Sequence, residues 1–201
     1  MQPIIRGYRP SDLDALYDIC IRTADAGDDL SGRFSDDRLL GDIYAAPYVT
    51  LEPELARILD DGDGHAIGYI LGTANTPEFV RRYVAEWLPS LGVRYDDDDD
   101  PRDAGLLELL RWPQRMLMPE LDEYPAHLHI DLLPQARGHG EGRALMTSFL
   151  RGLHAAGVER VHLSMAPANT GARAFYDRLG FTEIPVPPGR GGLYLGRETA
   201  I

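Results

Sequence analysis

The chain has 201 residues, enough for one domain, or one domain with an insertion, around a sizeable core. Its formal charge is −12 and all twenty basic residues are Arg, so the basic face that nucleic-acid binding needs is not expected, whereas attraction of a cationic partner is. No apolar run approaches the roughly 18 residues of a membrane span, no basic-then-apolar leader opens the chain, and the single Cys20 cannot form an internal disulfide; a cytoplasmic protein without a membrane partner is expected.

In chain order, Ile4 to Tyr8 predicts a first strand, and Ser11 caps a helix carrying Leu13, Leu16, Ile19 and Cys20 at helical spacing. That spacing makes Cys20 a buried small residue rather than a nucleophile. Arg22 to Ser35 is polar and glycine-bearing. It reads either as a solvated connection or as a substrate-side loop carrying Asp25, Asp28 and Asp29. Asp36 to Tyr44 predicts a short helix, followed by Ala45-Ala46-Pro47-Tyr48. Glu54 to Leu59 and His65 to Thr73 predict a hairpin across Asp61-Gly62-Asp63-Gly64.

Residues 77–88 predict an amphipathic helix through Phe79, Tyr83 and Trp87. The loop from Tyr95 to Asp103 holds five consecutive aspartates, which lack the alternate spacing of a calcium loop. A helix from Ala104 to Arg111 and a connection punctuated by Pro113, Pro119 and Pro125 follow. The segment at about 76–124 therefore reads as an insertion in a single domain spanning 1–201. Beyond it come a strand from Ala126 to Leu133, a helix from Gly140 to Ala156 and a strand from Val158 to Met165. A helix from Thr170 to Leu179 and strands at 181–184 and 193–195 complete the chain. The fold class is mixed α/β, a largely antiparallel sheet that turns parallel at one point and is flanked by helices.

The stretch Leu132-Leu133-Pro134-Gln135-Ala136-Arg137-Gly138-His139-Gly140-Glu141-Gly142-Arg143 joins a strand to a helix through glycines. The first N–H groups of a helix have no internal partner and sit at the positive end of its dipole, so they suit a phosphate. Gly138, Gly140 and Gly142 remove side-chain obstruction, and Arg137 and Arg143 add charge. Alone, such a stretch is equally a tight turn. No Gly-Lys-Ser/Thr follows, so it is not a P-loop. A second block, Asn169-Thr170-Gly171-Ala172-Arg173-Ala174-Phe175-Tyr176-Asp177-Arg178-Leu179-Gly180-Phe181, lies downstream.

Together the two blocks resemble the GNAT superfamily of acyl-CoA N-acyltransferases. Arg137-x-x-Gly140-x-Gly142 is similar to its pyrophosphate loop, and Asn169 to Phe181 to its N-x-x-A-x-x-F-Y-x-x-x-G-F segment. Tyr124-Pro125-Ala126-His127-Leu128-His129-Ile130-Asp131 and Tyr44-Ala45-Ala46-Pro47-Tyr48 further resemble bacterial proteins similar to the C-terminal acetyltransferase-like domain of O-GlcNAcase. The resemblance implies a GNAT fold whose strands splay at a site for acetyl-CoA as acyl donor, with no metal. Backbone groups of Leu132 and Leu133 would pair with the pantetheine. Arg137, Gly138, His139, Gly140, Gly142 and Arg143 would hold the pyrophosphate. Asn169 would bond to the pantetheine arm, and Arg173 would lie near the phosphates. Tyr176 matches the residue that stabilises or protonates the departing thiolate. Glu141 departs from the family, where an apolar residue commonly stands between the last loop glycines.

An amine acceptor must lose a proton before it attacks, because its pKa is about 10.4. Strand alternation puts His127, His129 and Asp131 on one face. They either face the acceptor cleft or pair with one another under a packed helix. Asp131 is the first candidate for base or substrate anchor and His129 the second. One strand face cannot supply a full zinc ligand set. The leading expectation is an N-acetyltransferase acting on an amine through a ternary complex. The alternative is an inactive acetyl-CoA-binding or protein-interaction module of the same fold. A homodimer through the last strands stays open.

Overall fold

The structure, a computed structural model, describes residues 2–95, 100–187, 189 and 191–201; four of the five consecutive aspartates therefore lie outside the described residues. Strand β1 (Ile4–Gly7) leads through a 3-10 turn at Pro10–Asp12 into helix α1 (Leu13–Arg22). The expected cap at Ser11 is not formed. Asp12 stands at the cap position without capping α1: its side chain turns back to accept the Arg9 N–H at 2.7 Å while both its oxygens receive the Arg6 guanidinium. Arg6 also reaches Asp60 at 2.7 Å. A carboxylate with three charge-assisted or backbone donors outcompetes a serine hydroxyl for this position.

Helix α2 (Arg38–Tyr44) is followed by α3 (Ala46–Leu51), a six-residue helix with Pro47 in its first turn that periodicity does not reveal. The hairpin β2 (Arg57–Asp60) and β3 (Ala66–Thr73) forms as expected. Helix α4 (Thr76–Arg82) widens into a π-helical turn at Tyr83–Trp87 and ends in α5 (Leu88–Ser90); α6 spans Ala104–Arg111. Asn75 caps α4, its side chain accepting the Glu78 N–H at 3.0 Å.

Strand β4 (Ala126–Leu132), helix α7 (Glu141–Ala155), β5 (Arg160–Met165), α8 (Thr170–Asp177), β6 (Thr182–Glu183) and β7 (Leu193–Glu198) complete the chain. The last strand is longer than the pattern suggested because Gly196 interrupts the apolar run without interrupting the ladder to β5.

The seven strands form one sheet in the order β1-β2-β3-β4-β5-β7-β6. Every neighbouring pair is antiparallel except β4 with β5. Alternation divides the apolar side chains between two layers. Tyr69 and Leu71 of β3 pack with Leu16, Leu39, Tyr48 and Phe79 on one side. Ile70 of β3 and Leu128 of β4 pack with Leu145, Phe149 and Leu153 of α7 on the other.

One carboxylate of the first layer gathers the segment from Trp87 to Tyr95. Asp42 of α2 is fully buried and receives the hydroxyls of Tyr17 and Tyr95, the latter at 2.6 Å, and the Arg94 guanidinium at 3.2 Å. Its carbonyl accepts the Trp87 indole N–H at 2.9 Å. Asp42→Ala strands the two buried hydroxyls of Tyr17 and Tyr95 and releases Arg94, and is expected to lower the unfolding free energy by about 3 kcal/mol. Urea denaturation followed by tryptophan fluorescence measures it; a loss within experimental error would show that the cluster does not anchor this segment.

Candidate active site

The parallel ladder between β4 and β5 consists of two pairs, Ala126 with Val161 and His127 with His162. Beyond His127 the strands part. β4 continues to Leu132 paired to β3 alone, while β5 continues to Met165 paired to β7. The Leu133 N–H donates to Ile67 O at 3.0 Å, so that position is committed to β3. Backbone direction alternates along a strand, which leaves Leu132 facing the gap. This fork opens beside the strand–glycine–helix turn.

At that turn Gly140 occupies the cap position of α7 with φ +94°, a left-handed conformation that a side chain would strain. No side chain caps α7, so its first-turn N–H groups are free of side-chain acceptors. Gly142 lies against α8, where a Cβ would come 3.3 Å from the Phe175 ring. An uncapped fifteen-residue helix behind a left-handed glycine is a cradle into which an anion fits. His139 and Arg143 are exposed beside it, and Arg143 forms no ion pair among the described residues.

Arg137 spans the mouth of the fork. Its Nε donates to Leu132 O at 2.8 Å and its Nη2 to Gly27 O at 2.9 Å. The loop at 22–35 thus reaches the site through its backbone. The three aspartates expected to matter there are exposed and occupied in the loop itself: Asp25 and Asp28 exchange backbone hydrogen bonds, and Asp29 accepts from Ser31.

The second block forms α8. Asn169 caps it, its Oδ1 accepting the Ala172 N–H at 2.9 Å. Arg173 is held by Asp177 at 2.8 Å and Glu183 at 3.3 Å. Both residues therefore have partners within the protein. Tyr176 is buried, its ring against Phe175 and Phe181 at centroid distances of 5.2 and 5.5 Å. Burial and then the charge of Asp131 push its phenol well above the ordinary value, so it carries its proton at neutral pH.

The polar face of β4 is built in two ways. His127 and His129 meet through Tyr48 of α3, whose hydroxyl lies 2.7 Å from His127 Nε2 and 3.0 Å from His129 Nε2. Thr76 Oγ1 lies 2.8 Å from His127 Nδ1. Burial pushes His127 far below the ordinary imidazole value; burial, with Arg115 and His162, pushes His129 down to about 4. Both imidazoles are neutral at pH 7. Asp131 is partly exposed, and burial raises its carboxyl above the usual range against the opposing pull of Tyr69, Thr23 and Arg137. The Tyr69 hydroxyl is fully buried beside Asp131 and Cys20. So His127 belongs to the packed-helix alternative, while His129 and Asp131 are only partly buried. Tyr48 and Thr76 were not singled out as site residues. The signal that could have found them is the polar strand face itself, since buried imidazoles demand partners.

The fold, the fork and the uncapped helix are those of an acetyltransferase. The model of the acetyltransferase (GNAT) family matches residues 28–181, and the chain belongs to that family. It is similar to the protein O-GlcNAcase of Rattus norvegicus, 26% identical over 185 residues that cover 90% of this chain and 20% of that protein. The chain thus spans about a fifth of that relative's length. A shorter likeness, 47% over 53 residues, covers 26% of this chain and 18% of the mycothiol acetyltransferase of Beutenbergia cavernae. Among solved structures, that of SsHAT is 56% identical with a TM-score of 0.94, each chain covered in full. A phosphinothricin acetyltransferase of Sinorhizobium meliloti in complex with AcCoA, 16% identical with a TM-score of 0.58, covers 98% of this chain and 89% of its own and shares the fold. No helix among the described residues is long and apolar enough to cross a membrane.

Proposed function

We propose that this chain transfers an acetyl group from acetyl-CoA to an amine acceptor by direct attack, with donor and acceptor held together in a ternary complex. The observation that carries the reading is the fork itself, where β4 and β5 part beside the uncapped, glycine-led start of α7. The family relationship and the AcCoA complex of the structural relative support the choice of donor.

Acetyl-CoA supplies the activated acetyl group. The residues fitted to hold it are the free N–H groups opening α7, with Gly138, His139, Gly140, Gly142, Arg137 and Arg143 around them, and Leu132 on the gap side of β4. Asn169 serves this site by shaping the start of α8, and Arg173 lies one turn along the same helix. Asp131 attracts the ammonium form of the acceptor and takes its proton on a carboxylate oxygen, with His129 as a second acceptor for that proton. Tyr176 keeps a proton on its phenolic oxygen for the departing sulfur. The chain's excess negative charge favours arrival of a cationic amine.

Isothermal titration with acetyl-CoA and with CoA tests this first. Micromolar binding is expected, and its loss in the double variant Arg137→Ala, Gly140→Asp is expected with it. Absence of binding by the folded wild-type protein would overturn the reading; binding without turnover of any amine would favour the inactive module.

A further inference from the structure

The hydrogen-bond chain under β4 has a direction. Thr76 Oγ1 lies 2.8 Å from the Pro125 carbonyl oxygen, which can only accept, so the single threonine proton points there. Thr76 Oγ1 must then accept from His127 Nδ1, 2.8 Å away. A neutral imidazole has one donor and one acceptor, so His127 Nε2 accepts the Tyr48 hydroxyl at 2.7 Å. With its only proton committed, Tyr48 Oη accepts from His129 Nε2 at 3.0 Å. The chain ends at His129 Nδ1, which forms no hydrogen bond among the described residues and is not sealed from solvent. The opposite direction would set the lone pairs of Thr76 Oγ1 and Pro125 O against each other.

We propose that Thr76, His127 and Tyr48 are positioning residues that hold His129 as its Nε2–H tautomer and so present the Nδ1 lone pair to the acceptor cleft. The chain is rigid enough for this. Tyr48 is stacked on Phe79 at 4.5 Å and 15°, and His127 sits edge-on to both rings. Tyr48, Thr76 and His127 are each buried. Resting on the acetyl-transfer reading, the consequence is that Nδ1 serves beside Asp131 as the second acceptor of the amine's proton: an amine N–H bond breaks, an imidazole N–H bond forms, and the imidazolium later returns that proton to water. The reversed tautomer would present a hydrogen there and could accept nothing.

Long-range proton–nitrogen NMR of the nitrogen-15-labelled full chain at neutral pH reads the tautomer of each histidine without acetyl-CoA or acceptor, so it decides this proposal even if the acetyl-transfer reading fails. His129 is expected as Nε2–H and His127 as Nδ1–H. Thr76→Val removes the terminal acceptor and is expected to shift His129 toward Nδ1–H. It is also expected to lower kcat about 10- to 100-fold with KM for acetyl-CoA unchanged, the loss typical of a group that orients an imidazole. Thr76→Ser is expected to restore both. Finding wild-type His129 as Nδ1–H, or an unshifted tautomer in folded Thr76→Val, would overturn the proposal. Should Thr76→Val not fold, Tyr48→Phe, which keeps the stacked ring, takes its place under the same criteria.

Discussion

Tyr176→Phe is expected to lower kcat about 100-fold while leaving acetyl-CoA affinity within about twofold. The variant keeps the ring contacts with Phe175 and Phe181 and deletes only the hydroxyl, which donates no hydrogen bond to the described residues. Stability should therefore hardly change. Any loss of rate then belongs to the proton carried by the phenol, whose pKa is raised by burial and by Asp131. Steady-state kinetics on an acceptor accepted by the wild type, with titration calorimetry beside it, separates the two. An unchanged kcat would remove Tyr176 from the chemistry and return it to the role of a core aromatic.

Asp131→Asn is expected to cost more, about 100- to 1,000-fold in kcat/KM at neutral pH, because it removes both the charge that attracts the amine and the first acceptor of its proton. The pH dependence has a definite sign. The folded-state pKa is raised, so activity in the wild type climbs with pH as the carboxyl loses its proton, and that limb should vanish in the variant. Stability moves the other way. The native state binds this proton more tightly than the unfolded chain, whose carboxyl has a pKa of about 3.9. The group's contribution is therefore fully present below the unfolded value and is lost as pH rises through the folded one. At pH 7 the wild type bears the cost of a desolvated carboxylate, and the neutral amide should unfold at a higher urea concentration. A variant that kept its activity with an unshifted pH profile would sink the base assignment.

Where the determinants are local, the sequence made them plain. The stretch read as a phosphate cradle is an apolar strand, a glycine turn and a helical period in immediate succession, and the structure has those three elements at β4, Gly138–Gly142 and α7. The alternation of His127, His129 and Asp131 against Leu128, Ile130 and Leu132 also survives intact, the two sets facing different layers. What could not be read was partnership across distance. Tyr48 stands on a helix too short to show a period, and it meets His127 and His129 from 79 and 81 positions away. Arg137 meets Gly27 O across 110 positions, so nothing near either residue announces the contact. Ser11 has the right chemistry for a cap and lost the position to Asp12, because Arg6, which also pairs with Asp60, draws the acid into a charged cluster.

The separation of β4 from β5 after His127 also gives the molecule a built-in reporter. A sheet normally protects alternate amides of an interior strand on both sides, yet past the fork β4 is laddered on one side only. With Leu133 turned toward β3, the amides of Ile130 and Leu132 project into the opening, and their protons should trade with deuterium from solvent far faster than those of Asp131 and Leu133 beside them. An extended substrate arm lying in the fork would close that side of the strand. The contrast between adjacent amides along a single strand would then fade, giving a residue-resolved measure of occupancy that needs neither turnover nor a known acceptor.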